Sequence, residues 1–339
     1  MSSQTRIGSI LLRPPGAREA VRRFQVAEQL GFDAAFATHV NGLEALTMMG
    51  AASAVTDRIQ IGVGVVPIYT RTPTTMAQAA ATLWELSGGR AEIGLGSGHR
   101  LVMQRWHGDP MDKPIADMRE YVAIIRAILA GKPLAKTDKW ASDMPLVGVG
   151  AAPAMPIRIG GLSPAMCRLA GEVADGVMVW LGTPGYIAEV VMPAVREGRE
   201  RAGKSMEGFE VFASIPCAPT EDPDAALRTY AKQIAHNLRL PFYRNILERG
   251  GYTDELKLLA EVSRYEDLEL PMPEEVMLGL GQGQLVADMA AVGDTASVAA
   301  KLDDYRRAGV TMLGINPIRI DQYDQTLAGA SAAFKRSRG

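Results

Sequence analysis

Short apolar runs alternate with helical patterns along almost the whole chain. Residues 7–12 form a β-rich run closed by Arg13-Pro14-Pro15-Gly16. From there Ala17, Ala20, Val21, Phe24, Ala27 and Leu30 recur at helical spacing up to Gly31, a natural helix stop. Residues 32–38 read as a short strand and 43–54 as a helix. Residues 59–66 are an unbroken apolar run of the kind buried on both faces of a parallel sheet, and 74–86 read as a Met- and Ala-rich helix. The alternation continues with strand 91–96 and helix 115–130, strand 157–160 and helix 165–173, and strand 177–180 and helix 186–202. It ends with strand 209–215 and helix 224–238, then strand 310–316 and helix 322–334. Eight such strands suit an α/β fold of the closed (β/α)₈ TIM-barrel type better than an open doubly wound sheet.

Two stretches break the rhythm. Residues 132–154 are rich in Pro and Gly, and 240–292 hold helical pieces but no clear strand. Both read as insertions in a single barrel domain spanning 1–339, because neither has the composition of a linker. The tail 335–339 reads as a disordered, solvated end.

The composition narrows the partners. Of 339 residues, 47% are apolar and 22% charged, and 36 basic against 38 acidic residues leave a net charge of −2. That balance gives no footprint for nucleic acid or an anionic membrane, so a small molecule is the expected partner. The run at 7–12 is too brief for a signal peptide. No apolar stretch approaches the roughly 20 residues of a membrane helix, which makes the cytoplasm the expected location. Cys167 and Cys217 form no CxxC pair and read as buried small hydrophobes.

In a β/α barrel the chemistry sits at the C-terminal strand ends. The second strand ends in Thr38-His39-Val40-Asn41, where His39 could exchange a proton at the barrel mouth or serve as a hydrogen-bonded surface residue. The third strand carries Gly62-Val63-Gly64-Val65-Val66-Pro67. Its glycines mark a bulge, a ring lying against the backbone, or tight helix packing. The fourth runs Gly94-Leu95-Gly96-Ser97-Gly98-His99-Arg100. With no helix directly behind it, it fits neither a P-loop nor a dinucleotide fingerprint, but it leaves room for a ligand. His99 and His107 lack the carboxylate or cysteine that would complete a zinc site, so no metal is expected. The fifth strand ends in Gly160-Gly161-Leu162-Ser163-Pro164, where an N-cap serine and a proline at the first helical position would turn a helix N-terminus toward a phosphate or simply cap the helix.

Four ordered blocks carry a resemblance across nearly the whole chain. They are Ala27-Glu28-Gln29-Leu30-Gly31-Phe32-Asp33, the segment from Gly64 to Pro73, the segment from Leu86 to Gly98, and the segment from Leu169 to Val177. Together they resemble the bacterial luciferase-like superfamily of flavin- and deazaflavin-dependent oxidoreductases. The turn Tyr69-Thr70-Arg71-Thr72-Pro73, with Pro241-Phe242-Tyr243 and Val292-Gly293, is most similar to the branch that uses coenzyme F420, which includes methylenetetrahydromethanopterin reductases.

The resemblance implies a cis peptide at Gly64-Val65 behind the cofactor ring, with Val66 beside it. It also implies cofactor contacts from Gly96, Ser97, Gly98, His99, Gly160, Gly161, Leu162, Ser163 and Thr183. His39 becomes the expected proton donor or acceptor. The expected reaction is hydride transfer between F420 and a small, mostly apolar organic substrate. The alternatives are an FMN-dependent monooxygenase and a non-catalytic flavin-binding barrel. Sugar-phosphate dehydrogenases of this branch have an acidic residue where this chain has His99, a lysine near Thr183, and an aspartate where it has Thr38, which speaks against a sugar phosphate substrate. A homodimer through helices 43–54 and 74–86 is also expected.

Overall fold

Eight parallel strands close a barrel in the computed structural model, which describes residues 5–132, 138–140, 143–260, 262 and 272–338. They are β1 (Arg6–Leu11), β2 (Ala34–Ala37), β3 (Gln60–Pro67), β4 (Ala91–Gly96), β5 (Ile157–Gly160), β6 (Gly176–Val179), β7 (Glu210–Pro219) and β9 (Met312–Pro317). They pair in that order, and β9 returns to β1. A ninth strand, β8 (Ala291–Gly293), pairs with Cys217–Pro219 at the projecting end of β7.

The helices form the outer shell. α1 (Ala17–Gln29), α2 (Ala45–Ser53) and α3 (Pro73–Leu86) follow the first three strands. α4 (Arg100–His107) and α5 (Pro114–Leu129) follow β4, and α6 (Pro164–Val173) follows β5. After β6 come α7 (Pro184–Tyr186), a π-helical turn (Ile187–Val191) and α8 (Met192–Arg201). The connection from β7 to β9 holds α9 (Pro223–Leu238), α10 (Pro241–Gly250), α11 (Thr253–Ala260), α12 (Glu274–Gln282), α13 (Gln284–Met289) and α14 (Thr295–Arg307). α15 (Tyr323–Arg338) completes the shell. Among the described residues no helix is long and apolar enough to cross a membrane.

Local sequence explains these elements. α1 buries Ala20, Phe24 and Ala27 on one stripe, and Gly31 takes the left-handed conformation (φ 80°) that ends the turn. Three expectations change. A helix, α4, does begin behind the fourth strand, but its one buried side chain is Met103, so its pattern reads as polar. The stretch 240–292 does contain strand residues, since β8 begins at Ala291, but three residues are too few to show alternation. The tail stays helical through Arg338, because nothing in it breaks a helix. In the two insertions, residues 133–137, 141–142, 261 and 263–271 lie outside the described residues.

The barrel interior is divided by chemistry. Ile10, Ala34, Phe36, Met178, Phe212 and Met312 form an apolar layer in which the Phe36 and Phe212 rings meet edge-on at 4.8 Å. Toward the N-terminal end lies a charged layer. Arg158 pairs with Glu92 and, through Nη2 at 2.9 Å, with Glu210, while Arg6 reaches Glu210 at 3.2 Å and Gln60 at 2.6 Å. Burial pushes the Glu92 carboxyl up against the pull of Arg158, and an ion pair this deep is tolerated because its charges are matched. A cavity of about 410 Å³ opens at this end, lined by Arg6, Gln60, Arg126, Arg158, Asp175 and Glu210. Its charges already answer one another, as where Arg126 donates to Asp175 at 2.7 Å. The opposite, C-terminal mouth is left for chemistry.

Candidate active site

His39 stands two residues beyond β2, anchored by Thr38, whose hydroxyl donates to the Leu11 carbonyl at 3.2 Å. Its side chain is largely buried. Nδ1 accepts the Ala45 N–H at 3.3 Å, so the neutral ring carries its proton on Nε2. Glu44 is the N-cap of α2, with Oε2 accepting from the Thr47 N–H and hydroxyl at 2.7 Å each. Its Oε1 accepts from Arg71 Nη2 at 2.9 Å and lies 3.5 Å from His39 Nδ1. Although burial opposes ionisation, the hydrogen bonds from Thr47 and Arg71 hold the Glu44 carboxyl at about 2. Burial pushes the His39 imidazole below its ordinary value; Glu44 pulls it up, and Arg71 and His107 push it down.

On the neighbouring strand the Gly64-Val65 peptide is cis, as the resemblance implies. Val63 pairs with Ile93 and Val66 with Leu95, so β3 bulges by one residue there. Gly64 and Val65 are half-buried at the mouth, whereas Val63 and Val66 are buried. The room left by the glycines of β4 serves this bulge. A Cβ at position 94 would sit 2.1 Å from the Val63 carbonyl oxygen, and one at position 96 would sit 2.5 Å from Val65 Cγ2. At position 160 the Val65 methyls lie 3.3–3.4 Å away. The space beside Gly94 and Gly96 is thus taken by the β3 bulge.

Beyond β4, Ser97 is half-buried, and Gly98 turns through a left-handed conformation over Met103. His99 shares a 3.1 Å hydrogen bond between Nε2 and the Tyr243 hydroxyl, and burial lowers its imidazole below the ordinary value. Tyr243 comes from α10 and also meets Trp180 edge-on at 5.5 Å. Phe242, beside it, is 42% exposed. One face of the mouth is therefore aromatic.

After β5, the Ser163 hydroxyl accepts the Met166 N–H at 3.3 Å and Pro164 starts α6. Gly160 and Ser163 are half-buried. Gly161, Leu162 and Thr183 are buried and tie elements together. The Gly161 N–H donates to Met178, the Leu162 carbonyl accepts the Tyr186 hydroxyl at 2.8 Å, and Thr183 caps α7 by accepting the Tyr186 N–H at 3.2 Å. Because the Ser163 hydroxyl oxygen accepts for the cap while its O–H stays free to donate, Ser163→Ala should cost about 1 kcal/mol of stability. Chemical denaturation checks this, and an unchanged midpoint would contradict the cap.

The expected residues lie at the C-terminal ends of β3, β4 and β5 or in the segments after β2, β4, β5 and β6, neighbouring strands that form one arc of the barrel. Sequence reading missed Glu44, Arg71, Trp180 and Tyr243 as site-forming groups. Arg71 and Tyr243 stood in segments that carried the resemblance without being assigned to the site, and Glu44 stood three residues before Thr47 at a helix start. Among the described residues no group of three or more His, Cys, Asp and Glu side chains could hold a metal ion.

The chain, a parallel barrel with a cis bulge on its third strand and a histidine just past its second, belongs to the luciferase-like monooxygenase family. The model of the luciferase-like monooxygenase family matches residues 1–312. A protein of Mycobacterium tuberculosis provisionally named a coenzyme F420-dependent oxidoreductase is 30% identical over 312 residues, 85% of this chain and 87% of its own. The 5,10-methylenetetrahydromethanopterin reductase of Methanopyrus kandleri is 28% identical over 88% of each chain. In structure, the coenzyme F420-dependent tetrahydromethanopterin reductase of Methanopyrus kandleri superposes with a TM-score of 0.81 at 24% identity, covering 97% of both chains.

Proposed function

We propose that this chain is a coenzyme F420-dependent oxidoreductase that transfers hydride between the deazaflavin and a small, mostly apolar organic substrate. The observation that carries this reading is His39, hydrogen-bonded and ionisable, one strand away from the accessible Gly64-Val65 bulge. The names of the relatives support the choice of cofactor. The residues fit a flat ring. Gly64 and Val65 offer an apolar, half-buried face, and Gly160 and Ser163 at the start of α6 would hold a phosphate on the positive helix end. Bound F420 supplies two-electron hydride chemistry. The protein's part is to orient the substrate against the aromatic side of Phe242 and Tyr243 and to move one proton through His39. Ser97, Gly98 and His99 line the same rim, while Gly96, Gly161, Leu162 and Thr183 support it from behind.

Titration of the purified chain with F420 and with FMN, followed by cofactor fluorescence, tests this. Saturable binding of F420 in preference to FMN is expected. Binding of FMN alone would move the chain to the monooxygenases of its family, and binding of neither would leave a non-catalytic barrel. The same reading takes the chain as a cytoplasmic homodimer, and a monomeric mass in solution would overturn the dimer.

A further inference from the structure

Nδ1 of His39 faces two groups of opposite demand. The Ala45 N–H at 3.3 Å needs a lone pair, and the Glu44 carboxylate at 3.5 Å needs a proton. The neutral ring protonated on Nε2 satisfies the first, and the charged ring, or the neutral ring protonated on Nδ1, satisfies the second. The titratable and charged groups around His39 are Glu44 at the start of α2, Arg71 from the turn after β3, and His107 at the end of α4. Glu44 is the single anion among these three. It is fixed from three directions, by the Thr47 N–H, the Thr47 hydroxyl and Arg71, so it is held in place before His39 changes state.

We propose that Glu44 is a positioning residue for His39: its carboxylate takes over Nδ1 when the imidazole becomes charged and so keeps the ring oriented in both states. This rests on the reading of His39 as the proton carrier. In the charged ring Nδ1–H donates to Glu44 Oε1 and Nε2–H is free to leave. When Nε2 gives its proton to a substrate oxygen, Nδ1–H remains on Glu44, and a proton from solvent restores Nε2. Arg71 has two opposed effects. Its own charge disfavours imidazolium, but its bond to Oε1 keeps the carboxylate ionised and aimed at the ring. Without Glu44, His39 would face Arg71, His107 and burial alone, all of which favour the neutral ring.

The test needs no cofactor. His39 is followed by ¹H–¹⁵N NMR of the histidine ring nitrogens against pH, with its signals identified by their loss in His39→Gln. In Glu44→Gln the midpoint should fall by about one pH unit, as expected for loss of an opposite charge at this range. Glu44→Asp should recover part of that fall. Thr47→Val removes one bond of the cap but leaves the charge, and should titrate like the parent. In turnover with F420, the alkaline limb of the pH profile should move down with the midpoint in Glu44→Gln. An unchanged midpoint in Glu44→Gln, or an equal fall in Thr47→Val, overturns the proposal. If the chain binds no F420 and yet Glu44→Gln shifts His39, the proposed function fails and the coupling of Glu44 to His39 stands.

Discussion

Replacing His39 with Ala should lower turnover with F420 by about 100- to 10,000-fold, the usual weight of a positioned general acid or base. Cofactor affinity should change little, because the ring is expected against Gly64 and Val65 on β3 while His39 belongs to the end of β2. The measurement is steady-state turnover across a panel of small ketones and their alcohols, with F420 affinity taken separately from fluorescence. His39→Ala also leaves the Ala45 N–H without its acceptor, which could loosen the start of α2. His39→Gln separates the two effects, since its amide oxygen can accept that N–H but cannot carry the proton. A comparable loss in both variants assigns the effect to proton transfer. Turnover restored in His39→Gln would assign it to the helix start instead, and unchanged turnover in His39→Ala would remove the proton role altogether.

The barrel was legible in the sequence because its strands are buried on both faces: Ile61, Val63, Ile93 and Leu95 pack outward, and the alternate positions are filled by small residues such as Gly62 and Gly94, so the segments read as apolar between helical stripes. The site was legible only in part. His39 could be found because a strand end is defined locally. The long-range contacts around it could not: Arg71 meets Glu44 across 27 residues, and Tyr243 meets His99 across 144. No periodicity carries such distances. The cis bond at Gly64-Val65 came from the resemblance, not from the spacing of glycines. Spacing also misled about β4. Its glycines read as room for a ligand, but beside Gly94 and Gly96 the room is taken by Val63 and Val65 of the adjacent strand, and strand register is not written in any local pattern. The charged tail read as disordered because its composition is that of a solvated segment, yet α15 runs through it to Arg338.

The packing of Val65 over β4 leads to a prediction that separates a side-chain conflict from a backbone conflict. Gly96→Ala would set a Cβ 2.5 Å from Val65 Cγ2, and should cost about 1–3 kcal/mol through overpacking. The next atom, Val65 Cβ, lies 3.5 Å away, an ordinary contact distance. Val65→Ala removes both Cγ methyls and should cost about 1–2 kcal/mol on its own. The double variant Val65→Ala with Gly96→Ala should therefore be more stable than the sum of the singles predicts, by about 1–3 kcal/mol. Gly94→Ala should behave differently. Its Cβ would fall 2.1 Å from the Val63 carbonyl oxygen, a backbone atom that cannot rotate away, with Met178 Sδ at 2.7 Å. That variant should lose at least about 3 kcal/mol, and Val65→Ala should not rescue it. Urea unfolding midpoints at constant slope measure the parent and all five variants. If the bulge is what holds the F420 ring, Gly94→Ala should also lose cofactor binding at temperatures where it remains folded. Rescue of Gly94→Ala by Val65→Ala, or additivity in the position 96 pair, would show that the bulge does not pack against β4 as described.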